Sequence, residues 1–520
     1  MKTAICLVVK DEESEIAYWI AWHKALGFDS FIIYNDFSDD NTESVILSLM
    51  DSIDIRYARN AVNRDLHNIR QVRAYNDAVT RYGSEFDWIA FFDADEYLDL
   101  DGQDIGTYLQ GVGDASLVAF NWSCVGPNGF VSRPAGAPVL NYTRHGTPDL
   151  YWNRHTKVIF RPSRLTGEIS QVHNVYVSGD SVDAAGRPIV WASKFGGFTE
   201  SAPDWRGGKL VHYQSRSLEH YVKRDRHLEE VRRDAGDPLH TVVNQSEYNA
   251  VETSFAESYI SEFLVWMQRI ASQQAEAIAR VIRGTPSAFL LQFAGMMGAP
   301  DVPVFRPSYR ALEHEIRSNW ISFHENSGGI LKDALQDGDQ WIAFHLDDHF
   351  GRRLGSLQGK LSVDDSAEDL IGIFSRGSRY VHLFTADGTP WQIKGDPRIT
   401  QGLTFEVWQN SDGTVSLSHP RTNRYLGFLP NGSYSVHKIR ALAWESFAPR
   451  TLTQAECPAF IKGAASYLSG ISNLEDFRRG CEKLDRSTAP LLFNAYAALD
   501  EASRRSVALL VKGILGEHLF

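Results

Sequence analysis

The run Trp88-Ile89-Ala90-Phe91-Phe92-Asp93-Ala94-Asp95-Glu96-Tyr97 decides how this chain is read. Apolar residues from Trp88 to Phe92 pass directly into the carboxylates of Asp93, Asp95 and Glu96. A continuous apolar stretch with this aromatic content predicts a strand buried on both faces, as in a parallel sheet. The acids then fall where the strand leaves the sheet, and open α/β sheets bind ligands outside the carboxyl ends of their strands. Asp93 and Asp95 are separated by one residue, so the loop must bend to bring both onto one target. Carboxylates packed that closely repel one another. A hard divalent cation with oxygen ligands relieves the repulsion and in turn holds a phosphate. The plainer reading is a solvated acidic turn after a core strand, and the surrounding sequence has to decide between them.

Upstream, residues 4–9 read as a short apolar strand, and residues 10–14 open a helix. Asp11 is its expected cap, and Glu12, Glu13 and Glu15 suit its positive end. Ile16, Trp19, Ile20 and His23 recur at helical spacing, and Gly27 stops the helix. Residues 30–34 form a second strand that ends in Asn35-Asp36-Phe37-Ser38-Asp39-Asp40-Asn41-Thr42, a polar loop before a helix over 43–50. A strand at 53–58, a helix at 67–82 and the strand at 87–92 complete the series. This alternation predicts a mostly parallel sheet with right-handed crossovers. The polar loops at 10–13 and 35–42 then share one sheet edge with 93–96, which an isolated acidic turn would not do.

These pieces, in this order, resemble a GT-A glycosyltransferase, close to the family-2-like and family-92-like (DUF23-type) groups. The matching residues are Val8 to Glu12, Tyr34 to Asp40, Gln71 to Asn76 with Arg73, and Phe92 to Glu96. Further matches are Trp122 to Gly129, Lys157 to Pro162, His173, and His212-Tyr213 with Ser217 and Lys223. The resemblance implies an α/β, Rossmann-like catalytic domain over residues 1–235. It implies that Glu12 and Asp36 contact the base and ribose of a nucleotide, with Lys10, Asn35 and Arg73 in the same donor site. Asp93 and Asp95 match a D-x-D that holds Mn²⁺ or Mg²⁺ against a diphosphate, Asp93 also serving the donor, and His212 matches a late histidine that completes the metal shell. Lys157 and Lys223 match basic positions near the phosphates or the acceptor. The implied activity is metal-dependent, inverting transfer of a sugar from a nucleotide sugar, a UDP-sugar being favoured. A glycan or lipid-linked acceptor is implied, with surface polysaccharide as the default setting.

Such chemistry needs the diphosphate neutralised as it leaves, and inversion needs one base to deprotonate the acceptor hydroxyl. Glu168 and Asp149 are the base candidates, since both lie between the D-x-D and His212 in sequence; the plainer reading of each is a surface carboxylate. Every other site residue also has a plain reading. Glu12 can complement a helix dipole, Asp36 can cap a turn, Lys157 can form a surface ion pair, and His173 can be an ordinary strand residue. Lys223, Arg224 and Arg226 can form a solvated helix face. Trp122, Tyr151, Trp152, Trp191 and Trp205 are available to stack on sugar rings, and only one or two are expected to face an acceptor.

Beyond the matched region, residues 236–339 read as a helical linker region, clearest over 254–283, with a Pro-containing break at 298–304 and another helix over 309–320. Residues 340–452 change to short apolar alternations between Gly, Asp and Asn, which predicts a β domain. It reads as three units: Leu354-Gly355-Ser356-Leu357 aligns with Trp391-Gln392-Ile393 and Leu426-Gly427-Phe428. Later in each unit Ile371-Gly372-Ile373, Phe405-Glu406-Val407 and Phe447-Ala448-Pro449 correspond. They resemble a β-trefoil of the fascin or growth-factor kind without the Q-x-W signature of ricin-type lectins. Residues 453–520 read as a C-terminal helical region.

At 520 residues the chain is too long for one core. A formal charge of −13 argues against sequence-independent nucleic-acid binding. The cysteines, Cys6, Cys124, Cys457 and Cys481, form no C-x-x-C pair and suit a reducing compartment. The apolar N-terminal run is too short for a signal peptide or a membrane span, so the expectation is a cytoplasmic protein, with peripheral contact at the inner face of a membrane left open. Other functions compete. A haloacid-dehalogenase-type phosphatase also places D-x-D after a buried strand, but wants Thr or Val where Tyr97 stands. A nucleotidyltransferase would add a Gly-rich phosphate loop near the N-terminus. A non-catalytic glycan- or partner-binding protein on a degenerate transferase fold is the remaining alternative.

Overall fold

The computed structural model describes residues 1–60, 66–130, 134, 136–194, 196–217, 220, 245–252, 255–284, 330–391, 393, 402–410, 412–419, 425–438, 441–471, 473–485 and 488–511. Two compact units divide the chain, one ending at Ile270 and the other beginning at Ala271.

The first unit opens with the expected alternation: β1 (Thr3–Val9), α1 (Ile16–Ala25), β2 (Ser30–Asn35), α2 (Thr42–Leu49), β3 (Asp54–Arg59), α3 (His67–Tyr82) and β4 (Trp88–Phe91). It continues through β5 (Glu96–Asp99), α4 (Ile105–Gly111), β6 (Leu117–Cys124), α5 (Pro138–Asn141), β7 (Arg144–His145), β8 (Thr156–Phe160), β9 (Ser181–Asp183) and β10 (Lys209–His212). The large sheet runs in the order β3-β2-β1-β4-β8-β6-β10-β5, with β9 also against β6. β1 to β4 pair in parallel, while β8 is antiparallel to both β4 and β6. Consequently β8 begins at the same edge where β4 and β6 end. β10 is parallel to β6 and antiparallel to β5, so the end of β10 and the start of β5 reach that edge too.

β1, β2 and β4 are buried along their whole length, which is why their sequences are continuously apolar rather than alternating. Tyr75 of α3 stacks on Phe91 at 3.9 Å, fixing α3 under the end of β4. Helix α1 differs from expectation. Asp11 does not cap it; the helix starts at Ile16, and Asp11 stands at φ 53°. The backbone N–H groups of Asp11, Glu12 and Glu13 donate instead to Ser38 Oγ, Thr42 Oγ1 and Asp40 Oδ2. Asp11 Oδ1 in turn accepts from the Asp39 N–H at 2.7 Å. The two polar loops are thus laced together, and the lacing takes residues 11–13 out of the helix.

The unit continues past residue 235. A short strand, β11 (Val251–Glu252), pairs with β7. Trp22 of α1 meets Phe255, Tyr259 and Phe263 at the start of α6 (Glu257–Gly284). Part of the span expected to be a helical linker therefore completes the first unit, because Trp22 needs a cover. The expected break at 298–304, the helix at 309–320, and Lys223, Arg224 and Arg226 lie outside the described residues.

In the second unit, α7 (Ile330–Asp333) precedes ten antiparallel strands: β12 (Trp341–Asp347), β13 (Gly355–Leu357), β14 (Lys360–Ser362), β15 (Glu368–Ser375), β16 (Tyr380–Thr385), β17 (Gly402–Gln409), β18 (Val415–Ser418), β19 (Tyr425–Phe428), β20 (Tyr434–Lys438) and β21 (Ala448–Thr451). β12 pairs with both β15 and β21, so the first strand meets the last. Leu354, Trp391 and Leu426, the matching positions of the aligned segments, share one buried cluster with Phe405 and Phe447. Helices α8 (Ala459–Leu468), α9 (Leu474–Cys481), α10 (Leu491–Ala497) and α11 (Glu501–Val511) follow.

Candidate functional site

The acidic turn hangs from the end of β4 and is pinned from α1. The Trp19 indole N–H donates to the carbonyls of both Asp93 (3.0 Å) and Glu96 (2.8 Å). The Glu96 N–H closes the turn onto the Asp93 carbonyl at 3.1 Å, and Glu96 Oε2 accepts from the Asp93 N–H at 2.7 Å. Glu96 is wholly buried, and its other oxygen accepts from Trp122 Nε1 at 2.8 Å. It holds the turn from beneath.

The two aspartates part company here. Asp93 is taken by the protein: Lys157 Nζ lies 2.8 Å from Oδ2, and Gln71 Nε2 donates to Oδ1 at 2.6 Å. Lys157 is fully buried on β8 and also faces Glu96 at 3.9 Å, so it is no surface ion pair. Burial alone would push its ammonium down, but Asp93 and Glu96 hold it well above the usual range. Burial likewise works to raise Asp93, and Lys157 overcomes it, leaving that carboxyl low. Burial raises the Glu96 carboxyl, with Lys157 pulling the other way. Asp95 turns to the opposite side, where His212 Nε2 lies 3.6 Å from its Oδ1 and the Tyr213 N–H donates to its carbonyl at 2.8 Å. The His212 ring packs on Trp122 with centroids 4.1 Å apart. Among the described residues, no group of three or more His, Cys, Asp or Glu side chains is placed to hold a metal.

On the β1–β2 side, Lys10 Nζ donates to the Phe37 carbonyl at 2.6 Å, and Asn35 bonds to Tyr57 and to the Ser38 N–H. Asp36 is buried and held by Asn60, His67 and Arg70. Burial would raise its carboxyl, but these hydrogen bonds bring it well below the usual range. Arg73 lines a cavity of about 310 Å³ with Tyr34, Asn60 and Arg70. Glu12 is also buried. Its Oε2 accepts from Arg216 Nη1 at 3.1 Å, and Glu15 Oε2 lies 2.7 Å from the same nitrogen. Burial would lower the Arg216 guanidinium, and the two glutamates raise it.

Thus Asp93 pairs with Lys157 and Asp95 with His212 in the turn after β4, while Lys10, Glu12, Asn35 and Asp36 lie where β1 and β2 leave the same edge, Glu12 on Arg216 and Asp36 on Asn60, His67 and Arg70. Glu168 and Asp149 stand exposed, outside the contacts of the turn after β4. The segment next to Glu168 is anchored to α3, where Asn76 exchanges hydrogen bonds with the backbone of Ile169. His173 is no strand residue; its Nδ1 is 3.1 Å from the Thr156 carbonyl, and burial first, then Lys157, lowers it to about 3. Sequence reasoning gave no specific role to Arg216, Gln71, Arg70 or His155. Gln71 could have been found by spacing, since it shares a helix face with Tyr75, to which it is hydrogen-bonded at 2.8 Å. Arg216 carries no local signal, because its partners lie some 200 residues away.

The sequence profile of glycosyltransferase family 92 matches residues 3–235. A glycosyltransferase family 92 protein of Ricinus communis is 29% identical over 187 residues, covering 32% of this chain and 30% of that protein. One from Arabidopsis thaliana is 26% identical over 184 residues, covering 33% of this chain and 30% of its own length. The chain therefore spans 30% of the length of these curated relatives. Among solved structures, S. aureus TarS 1-349 aligns with a TM-score of 0.25 and 12% identity, covering 71% of this chain and 98% of that one. Residues 3–235 thus resemble glycosyltransferase family 92 in sequence.

Proposed function

We propose that this chain is a nucleotide-sugar glycosyltransferase whose donor diphosphate sits over the turn from Asp93 to Glu96. A divalent cation, Mn²⁺ or Mg²⁺, would be held by Asp95 and His212, with Asp93 at its side. The observation that carries the reading is the approach of His212 Nε2 to Asp95 Oδ1, 3.6 Å, at the strand-end edge. A carboxylate oxygen and an imidazole nitrogen are a fitting donor set for such a cation. Cations that serve nucleotides take one or two protein carboxylates and leave the other positions to phosphates and water. A pair of ligands, rather than a closed cage, is therefore what such a site needs. When bound, the cation would supply charge neutralisation at the departing diphosphate.

The remaining work falls to the chain itself. Lys157 fixes Asp93 and places a permanent positive charge beneath the turn, where developing negative charge on the donor needs it. The cavity lined by Tyr34, Asn60, Arg70 and Arg73 supports a nucleoside slot, since Asn60 and Arg70 also hold Asp36. Lys10, Glu12, Asn35 and Lys223 are assigned to the donor on the resemblance alone. A UDP-sugar is the favoured donor. We read the transfer as inverting, with Glu168 or Asp149 deprotonating the hydroxyl of a glycan or lipid-linked acceptor, in surface polysaccharide synthesis. Glu168→Gln and Asp149→Asn separate them: the base variant loses transfer to acceptor while keeping donor binding. The free, buried state of all four cysteines supports a reducing, cytoplasmic setting, with peripheral contact at the membrane face. Residues 1–235 are read as the catalytic domain, completed by the part of 236–339 that packs on Trp22, with the rest of 236–339 as a linker region, 340–452 as a β-trefoil-like domain and 453–520 as its helical companion.

A thermal-shift series with UDP-, GDP- and CMP-sugars, each with and without Mn²⁺, tests the core of the reading. One nucleotide class should raise the melting temperature, and more so with the metal, because a ligand that binds only the folded state stabilises it. No shift from any nucleotide in either condition would sink it.

A further inference from the structure

The candidate site is connected to the surface by a column of aromatic rings. Trp122 is its inner end, bonded to Glu96 and packed on His212. The His155 imidazole stacks on Trp122 at 4.8 Å and on Trp152 at 5.7 Å, with interplanar angles of 22° and 18°. Phe198 meets His155 edge-on at 4.7 Å, and Tyr151 lies against both Trp152 (5.4 Å) and Phe198 (5.1 Å). The outer end is open to solvent: Tyr151 is 58% and Trp152 47% exposed. The topology accounts for the location, since residues 151–155 lead into β8 at the edge where β4 and β6 end.

The turn that carries these rings is braced. Asn153 is fully buried; its Nδ2 donates to the Thr147 carbonyl at 2.8 Å, and its Oδ1 accepts from the Cys124 N–H at 2.8 Å. Asn121 Nδ2 reaches the Asn153 and Arg154 carbonyls. Arg154 Nε donates to the Thr199 carbonyl at 2.7 Å, and its guanidinium covers Phe198 at 4.6 Å. His155 Nδ1 is 3.2 Å from the Trp152 carbonyl, which makes Nδ1 the protonated nitrogen and Nε2 an acceptor. A braced turn offering two exposed flat rings beside polar groups loses little entropy when a ligand settles on it.

We propose that Tyr151 and Trp152, backed by His155 and Phe198, form a saccharide platform that seats the acceptor. The acceptor role rests on the transferase reading above. A pyranose has a C–H face that stacks on an aromatic ring and a hydroxyl rim that needs polar neighbours, and this surface offers both. Two rings are far less apolar surface than a protein or a lipid bilayer would bury. The platform's continuity with Trp122 ties it to the reacting centre.

The test uses the full chain and three variants, Trp152→Ala, Trp152→Phe and Tyr151→Ala/Trp152→Ala. Saturation-transfer NMR is recorded with lactose, cellobiose, maltose, mannobiose and N-acetyllactosamine, and UDP binding is measured in parallel with Mn²⁺. At least one disaccharide should receive saturation on its ring C–H protons. Its affinity should fall at least about tenfold in Trp152→Ala and further in the double variant, return in Trp152→Phe, and leave the UDP affinity unchanged. Equal disaccharide binding by wild type and Trp152→Ala overturns the platform, as does failure of the whole panel on protein that binds UDP. Saccharide binding through Trp152 without any nucleotide binding keeps the platform as a sugar site and removes its acceptor role along with the transferase reading. A wild-type dimer that the double variant dissolves, seen by sedimentation, overturns the proposal in favour of a contact between copies.

Discussion

Asp93 and Asp95, one residue apart, have different surroundings, and the difference predicts different phenotypes. Asp93 is already neutralised by Lys157 and oriented by Gln71, whereas Asp95 faces His212. Asp95→Asn should therefore abolish Mn²⁺-dependent hydrolysis of the donor, by about a hundredfold or more, with little change in melting temperature. His212→Ala should instead raise the Mn²⁺ concentration needed for half-maximal rate by about ten- to a hundredfold. Lys157→Met should behave unlike either. It strands Asp93 and Glu96 without their cation, and the cost expected for a broken buried pair is about 3–5 kcal/mol, read as a fall in denaturant midpoint. A pH effect follows from the buried histidines. His23 Nδ1 is 2.9 Å from the Trp19 carbonyl, and burial pushes the ring down to about 3; His173 is also lowered to about 3. Unfolded histidine titrates near 6.5, so as the pH drops the unfolded chain takes up protons before the folded one. This stabilisation is complete above about pH 6.5 and is lost progressively as the pH falls towards 3, at up to about 1.4 kcal/mol per pH unit for each ring. A melting temperature that stays flat from pH 7.5 to 5 would contradict it.

At the scale of elements, the first strands and helices were legible because each carries a single dominant pattern. α3 is legible with its observed bounds, since its apolar face recurs at helical period. α1 is legible as a helix but not in its start, because the N–H groups of Asp11 and Glu13 bond to a loop 27 residues on, which no local rule reports. The strand-end acids were legible for the same reason as β4: an apolar run ending in carboxylates is a local signal. Their partition into a lysine-held and a histidine-facing acid was not, since Lys157 and His212 arrive on β8 and β10 through pairings with β4, β6 and β5. Arg216 is the extreme case. It ties the segment after β10 to the start of α1 through Glu12 and Glu15, from a residue at φ 46° that an ordinary side chain rarely adopts. Arg216→Met should destabilise the first unit by about 3–5 kcal/mol, because two buried carboxylates lose their shared cation. Adding Glu12→Gln and Glu15→Gln should recover most of that loss. A triple variant as unstable as the single one would show that the arginine acts through packing alone.

At the scale of the whole molecule, two buried apolar clusters among the described residues are built from different sequence grammars. The first is a cluster that includes Cys6, Tyr75, Phe91 and Phe160, from strands and helices that alternate along the chain. The second, with Phe344, Trp391, Phe405 and Phe447 at its centre, comes from antiparallel strands whose matching apolar positions recur. Asp93, Asp95, Lys157 and His212 all belong to the first unit, and in the second unit β12 pairs with β21 beside the buried cluster. Separate cores predict separable unfolding. Trp391 is fully buried and its indole N–H donates to the Leu383 carbonyl at 3.2 Å, so Trp391→Ala removes a large core side chain and one hydrogen bond. The expected loss is about 3–5 kcal/mol. Calorimetry should show one transition moving down while another keeps its midpoint, and Mn²⁺ with the nucleotide should raise only the second of these. Donor hydrolysis by Trp391→Ala below the lowered transition should match wild type. A single transition that shifts as a whole, with hydrolysis falling alongside it, would mean that the two cores fold as one cooperative body.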